Sequence, residues 1–94
     1  IYNTASDKKL KSKIKQAPSG LINLKPKQFV YKSDPSRTRY GFIAQEVQEH
    51  FPDLVSKSVD GTLSLNYNDI IALLLQELIN TNKKLEALEK KIFV

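Results

Sequence analysis

The chain has 94 residues and a formal net charge of +5 at pH 7. A single domain of this size forms a core that stabilises a monomer only marginally, so association between copies would add stability. The lack of cysteine excludes a disulfide framework and a thiolate nucleophile, and the single histidine, His50, leaves little with which to build a metal site or a histidine-based triad. We therefore expect no metal and no cofactor.

The first twenty residues divide into an irregular start and a lysine-rich segment. Residues 1–5 show no periodicity, and we interpret them as the C-terminal end of an upstream region. In the segment that follows, apolar residues recur at helical spacing, at Leu10, Ile14 and Ala17. This pattern predicts a helix with Ser6 as its N-cap and Asp7 in its first turn, ending at residues 18–20.

The same segment is strongly basic. The first sixteen residues of the chain contain one acidic residue and five lysines: Lys8, Lys9, Lys11, Lys13 and Lys15. A basic arm of this kind can bind nucleic acid or an acidic surface. The aromatic residues lie elsewhere in the chain rather than between these lysines, which favours a solvated helix face. A nucleic-acid partner is therefore not expected.

The middle of the chain predicts short extended pieces. Residues 21–24 and 28–32 indicate two such pieces separated by Pro26, which is typical of an edge strand rather than a central one. Residues 33–39 are polar and predict a loop.

A short helix and a hairpin are predicted next. The helix has an apolar stripe and ends at Pro52; the stripe consists of Ile43, Val47 and Phe51. Residues 54–59 and 62–67 flank Asp60 and Gly61, which form the strongest hairpin signal in the sequence. Apolar and polar residues alternate along its second strand, so one face of the hairpin is expected to be buried.

The last quarter of the chain predicts a long helix capped by Asn68 or Asp69. An apolar seam with the heptad spacing of a coiled coil runs along it: Ile71, Leu74, Leu78, Thr81, Leu85, Leu88 and Ile92. A helix over residues 69–92 would be ~36 Å long, too long for the rest of the chain to cover. Its first half is apolar nearly all round and is expected to be buried, whereas its second half is expected to protrude as a coiled coil.

These features predict an α+β domain of short helices and a β-hairpin, carrying a helical stalk that makes the protein an oligomer. The seam alone does not fix the number of chains, because it matches neither the pure dimer nor the pure trimer pattern. No membrane segment is expected, since the apolar run of residues 70–79 is interrupted by Gln76 and Glu77.

Three stretches carry a resemblance to a known family. They are SDKKLK at residues 6–11, YGFIAQEV at residues 40–47 followed by FPDLV at residues 51–55, and LNY at residues 65–67 leading into the apolar helix. Together they resemble the C-terminal chaperone domain of phage endosialidases, tail spikes and tail fibres, a self-cleaving peptidase family also found in some neck appendages. The resemblance extends from Ser6 to about Leu88.

The resemblance implies a homotrimer that assists the folding and assembly of the preceding fibre or spike and then releases itself. Carried onto this sequence, it implies cleavage at Ala5-Ser6, with Ser6 as the nucleophile and Lys11 as its base. Residues 1–5 would then end the upstream region, which is the client, and residues 6–94 would form the chaperone domain, with a trimeric coiled coil over residues 69–92. It also implies a precursor of a virion tail or appendage, made in the bacterial host cytoplasm, whose chaperone domain is released after cleavage.

A serine–lysine pair places definite demands on its surroundings. The serine hydroxyl needs a base, and with no histidine nearby in sequence a neutral lysine must serve. An amine in water keeps its proton up to a pH of about 10, so burial or neighbouring positive charge must favour the neutral form. The surrounding lysines supply like charge, and trimer formation would add desolvation, so cleavage would wait for assembly.

The sequence also contains candidates for supporting groups. Backbone N–H groups at Asp7 or Lys8 are candidate oxyanion donors, and Asp7 also belongs to the motif. Gln45 and Glu46 are candidates to orient Lys11 or the scissile peptide, with a solvated helix face as the alternative.

Geometry restricts how the pair can meet. Five residues of regular helix turn through about 500 degrees, which places Ser6 and Lys11 on different faces. They meet if Ser6 lies outside the helix, or if the lysine comes from another subunit. Attack within one chain and attack between subunits therefore both stay open.

The alternative function is a non-catalytic coiled-coil trimerisation module, in which Ser6 is only a helix cap.

Overall fold

The computed structural model describes residues 4–93 of the chain. These residues form three single 3-10 turns, two β-hairpins and two α-helices. In chain order the elements are a first 3-10 turn Lys8–Leu10, a second 3-10 turn Leu21–Asn23, β1 Lys27–Tyr31, β2 Asp34–Gly41, α1 Ala44–His50, a third 3-10 turn Pro52–Leu54, β3 Val55–Lys57, β4 Leu63–Leu65 and α2 Tyr67–Phe93. The predicted α+β fold class with a long C-terminal helix is confirmed.

The first hairpin pairs β1 with β2 in antiparallel register, with Lys27 opposite Gly41 and Phe29 opposite Arg39. The register shifts between Phe29 and Tyr31, which marks a bulge. The predicted polar loop at residues 33–39 is therefore wrong, because most of it is β2. Both faces of β2 are exposed over residues 34–40, so the strand lacks the apolar alternation that identifies a half-buried strand in a sequence.

The second hairpin pairs β3 with β4, with Val55 opposite Leu65 and Lys57 opposite Leu63. Its turn contains Gly61 at a φ of 88°, a value that favours glycine. The hairpin predicted around Asp60 and Gly61 is confirmed.

The core is small, and its side chains come from the second and third 3-10 turns and from both α-helices. Among residues 4–92, six side chains are buried: Leu21, Leu24, Val47, Leu54, Ile70 and Leu73. Val47, on the predicted stripe of α1, is only 1% exposed and is the most deeply buried of them. Ala17 packs against this core from the N-terminal side. We call residues 17–73 the body.

The long helix α2 begins two residues earlier than predicted. Its capping residue is Asn66, whose Oδ1 accepts the N–H of Asp69 at 3.2 Å. With 27 residues it is ~40 Å long. The radius of gyration, 17.5 Å, exceeds the about 12 Å expected of a compact chain of this length, because the helix extends beyond the body.

The predicted burial of the first half of α2 is wrong for the single chain. Only Ile70 and Leu73 are buried, whereas Leu74 and Leu78 are 59% and 63% exposed. The body is too small to surround the helix and covers one stripe of it. The apolar seam therefore lies on the exposed side.

The predicted lysine-rich helix is also wrong. Only Lys8–Leu10 forms a 3-10 turn, and Lys13 adopts a positive φ of 54°. Leu10 and Ile14 are both 65% exposed. An isolated short helix is unstable without a surface for its apolar face, and the body offers none here. The extended piece predicted at residues 21–24 is likewise a 3-10 turn, entered through Gly20 at a φ of 113°.

Candidate active site

Residues 6–11, which we call the dyad turn, form a locally bonded loop around the first 3-10 turn. Asp7 is the N-cap, and its Oδ1 accepts the N–H of Lys9 at 3.0 Å. The N–H groups of Leu10 and Lys11 donate to the carbonyls of Asp7 and Lys8, each at 3.0 Å. The prediction of Ser6 as the cap is wrong, because the chain turns one residue later. The Ser6 hydroxyl is consequently available for another partner.

That partner is Lys11. The Lys11 Nζ donates to the Ser6 Oγ at 2.6 Å within the same chain. A regular helix would have separated the two side chains, but Ser6 precedes the 3-10 turn and Lys11 follows it, so the loop closes on itself. The separation lies within the range for direct proton transfer between a base and a hydroxyl. A neutral amine at this position would take the hydroxyl proton.

The pair is open to solvent in the single chain. Ala5, Ser6 and Lys11 are all exposed, and so are Lys8 and Lys9. A protonated amine donates to the hydroxyl instead of accepting its proton, so the contact alone does not activate the serine. Removal of water from around the amine, together with nearby positive charge, favours the neutral form.

Two backbone groups of the dyad turn are candidates for oxyanion donors. Within residues 4–93, the N–H groups of Asp7 and Lys8 have no hydrogen-bond acceptor. Both lie within three residues of the predicted cleavage bond Ala5-Ser6, at the start of a 3-10 turn, where N–H groups lack partners in the turn itself. They are thus free to donate to a developing negative charge on a carbonyl oxygen.

Gln45 and Glu46 are not joined to the pair. Both lie on α1, and Glu46 forms an ion pair with Lys27, with 4.0 Å between Oε1 and Nζ. Gln45 lies beside an open groove with an aromatic lining: Phe29, Tyr31, Phe42 and Tyr67. In the part of the chain that the structure describes, neither residue bonds to Ser6 or Lys11. The structure thus brings Asp7, but not these two, to the predicted pair.

Sequence reasoning missed Glu77. Its Oε1 accepts the N–H of Leu21 at 2.9 Å and also that of Gly20, at the start of the second 3-10 turn. The available signal was an acidic residue inside an apolar helical run, four positions after an apolar one at Leu73. Nothing in the sequence indicated which N–H groups it would meet, because they lie more than fifty residues earlier.

A family model matches the part of the chain that contains this site. The model of peptidase family S74, described as the chaperone of endosialidase, matches residues 6–56. The chain belongs to this family. The match starts at Ser6 and ends in β3, so that it includes the dyad turn, the first hairpin and α1 of this endosialidase-chaperone domain.

Membership in the endosialidase-chaperone family gives the chain a chaperone role and makes it a peptidase-related domain. The client of that family is an upstream endosialidase fibre region, so the domain is related to the phage tail. No curated protein sequence matches the chain. Across residues 4–93 no helix has the length and apolar character needed to cross a membrane.

Proposed function

We propose that this domain is a trimeric intramolecular chaperone that assists assembly of a phage tail or appendage fibre and releases itself by one cut at Ala5-Ser6. The observation that carries the proposal is the 2.6 Å contact between Lys11 Nζ and Ser6 Oγ, in a chain of a peptidase family. Residues 1–5 then end the client region, of which residues 1–3 lie outside the described residues. Residues 6–94 form the released domain.

The proposed reaction takes place within one chain. Neutral Lys11 accepts the hydroxyl proton while Ser6 Oγ attacks the Ala5 carbonyl carbon through a five-membered ring. In this route the N–H groups of Asp7 and Lys8 would donate to the oxyanion. The Ala5-Ser6 C–N bond then breaks, and Lys11 returns the proton to the Ser6 amine. The resulting ester is hydrolysed by water, which leaves a carboxyl group on Ala5 and restores the Ser6 hydroxyl.

Assembly supplies the switch in this proposal. The apolar members of the seam are 51% to 65% exposed in the single chain, a continuous stripe that a lone soluble helix would not retain. Three copies packed along residues 69–92 would cover it as a coiled coil. Enclosure of the dyad turn by neighbouring copies would then favour neutral Lys11. The precursor would be made in the bacterial host cytoplasm, and the processed fibre would enter the virion.

The test measures cleavage of the wild-type chain and of four variants: Ser6→Ala, Lys11→Ala, Lys11→Arg and Lys15→Ala. Intact mass and N-terminal sequencing detect a product that begins at Ser6, and light scattering gives the oligomeric state. Wild type and Lys15→Ala should be cut, since Lys15 lies outside the dyad turn. The other three should stay intact yet form the same oligomer, because Ser6 and Lys11 are exposed and bury no apolar surface.

Two results would change the proposal. Normal cutting of Lys11→Ala would remove lysine as the base, while intact wild-type trimers would leave a non-catalytic coiled-coil trimerisation module. Mixed oligomers of wild type and Ser6→Ala separate the routes of attack. In the proposed route the Ser6→Ala chains stay whole even when they are assembled with active ones, whereas attack between subunits cuts them.

A further inference from the structure

Glu77 connects the N-terminal quarter of the chain to the long helix. Its carboxylate on α2 accepts the N–H groups of Gly20 and Leu21 and is partly buried. Within residues 4–93, these two bonds are the only hydrogen bonds, and no ion pair exists, between residues 4–24 and the remainder of the chain. Every other hydrogen bond of residues 4–24 is internal to that segment.

The segment that Glu77 bonds packs against the rest of the body, and we call residues 17–24 the docked segment. Leu21 and Leu24 are buried in the same core as Leu73, and Ala17 packs against that core. Proline at position 18 fixes its own φ and restricts the residue before it, which stiffens the entry to the segment. Only residues 12–16, which are exposed and make no hydrogen bonds in the described chain, separate the dyad turn from this anchor.

Two neighbouring stripes of α2 meet different surfaces. Ile70, Leu73 and Glu77, on steps of three and four, face inward towards the docked segment and the rest of the body. Ile71, Leu74 and Leu78, each one residue further along, are exposed members of the seam. The helix that would bring copies together is therefore the same rigid element that anchors the segment leading to the dyad turn.

We propose that Glu77 is a positioning residue for the cut at Ala5-Ser6, an inference that rests on the proposed function. By bonding Gly20 and Leu21, it fixes the docked segment on α2, so that packing of the α2 helices places the dyad turn where neighbouring copies enclose it. Glu77 does not touch the reacting atoms and acts through the segment it anchors.

The test compares the rates of cutting in four assembled proteins: wild type, Glu77→Ala, Glu77→Gln and Glu86→Ala. Glu77→Ala removes two hydrogen bonds to a charged acceptor, so the rate of cutting in this variant should fall by about tenfold or more. Glutamine keeps an oxygen acceptor in the same place, so Glu77→Gln should recover most of the rate. Glu86→Ala is the matched control and should be cut at the wild-type rate. Within residues 4–93, the Glu86 carboxylate accepts a hydrogen bond only from Asn82, in the same helix.

A second readout does not depend on cleavage. In an uncut Ser6→Ala background, amide hydrogen exchange at Gly20 and Leu21 should be faster with Glu77→Ala than with Glu77→Gln or Glu86→Ala. Should Glu77→Ala fail to assemble, Gly20→Ala disturbs the same contact without altering α2, since its φ of 113° disfavours any side chain. Slow cutting by Gly20→Ala is then the expected result.

The outcomes distinguish this inference from the proposed function. Wild-type rates in assembled Glu77→Ala, or in Gly20→Ala where that variant is needed, would overturn the role of Glu77 alone. Equal slowing by Glu77→Ala and Glu77→Gln would overturn its hydrogen-bonding basis. A wild-type chain that assembles but is never cut would overturn both this inference and the self-cleavage on which it rests.

Discussion

The dyad turn and the body are stabilised by different forces. The dyad turn is closed by hydrogen bonds among its own residues, and none of its side chains is buried. The body has the six buried apolar side chains and both hairpins. None of the side chains proposed for the chemistry belongs to the core. The serine–lysine contact is therefore a local property of six residues, whereas its placement depends on distant ones.

The largest stability effect should follow from opening the core. Leu54 is 4% exposed, so Leu54→Ala removes buried apolar contacts and should lower the free energy of unfolding by about 2–5 kcal/mol. Denaturant unfolding of uncut protein, at one fixed protein concentration, measures the change. Lys11→Ala in the dyad turn is the comparison and should stay within about 0.5 kcal/mol of its parent. Equal losses from the two substitutions would show that the dyad turn is part of the cooperative core.

The same division explains what could be predicted from the sequence. The inward position of Val47 on α1 and the hairpin at Asp60 and Gly61 were predicted correctly because each pattern depends on neighbouring residues. The strand β2 was missed because neither of its faces is buried, so its composition resembles a loop. The helix predicted around Leu10 and Ile14 had the right spacing but no surface to pack against.

The site was predictable in part. Ser6 and Lys11 were proposed from the family resemblance, and the geometric condition that Ser6 lie outside a helix is the one that the structure meets. Glu77 could not be paired from the sequence, because its partners are backbone groups brought near only by folding. The burial of α2 was overestimated since hydrophobicity alone does not distinguish a surface covered by the same chain from one left for other copies.

A smaller effect on stability should come from a substitution at Gly41, where the backbone lies close to the Tyr67 side chain. A Cβ added at Gly41 would lie 2.6 Å from the hydroxyl oxygen of Tyr67, which accepts the N–H of Phe42 at 3.4 Å. Gly41→Ala should therefore cost about 1–3 kcal/mol in unfolding free energy through overpacking. Tyr67→Phe removes the obstructing oxygen, so Gly41→Ala should cost less in that background. An unchanged cost in the double variant would place the strain elsewhere, and cutting at Ala5-Ser6 should survive in both.

The smallest effect on stability should come from the turn at residues 58–62 of the body. Like the dyad turn, this turn is exposed and its side chains bond to one another and to its backbone. Hydrogen bonds to Asp60 lower the pKa of its carboxyl to about 2 from its ordinary 3.8. The bond from the Ser58 hydroxyl has the largest effect, and those from the backbone N–H and the side chain of Thr62 follow. Since the folded pKa is the lower one, the stabilisation is complete above about pH 4 and is lost as the pH falls towards 2.

Carboxyl titration by NMR should show this low pKa in the parent and a higher one in Ser58→Ala, which removes the largest cause. The melting-temperature advantage of the parent over Asp60→Asn should shrink as the pH falls from 4 to 2. Like the Ser6–Lys11 contact, this is an exposed side-chain contact without burial to support it. An ordinary Asp60 pKa would therefore mean that the side-chain contacts of this exposed turn do not persist in the single chain.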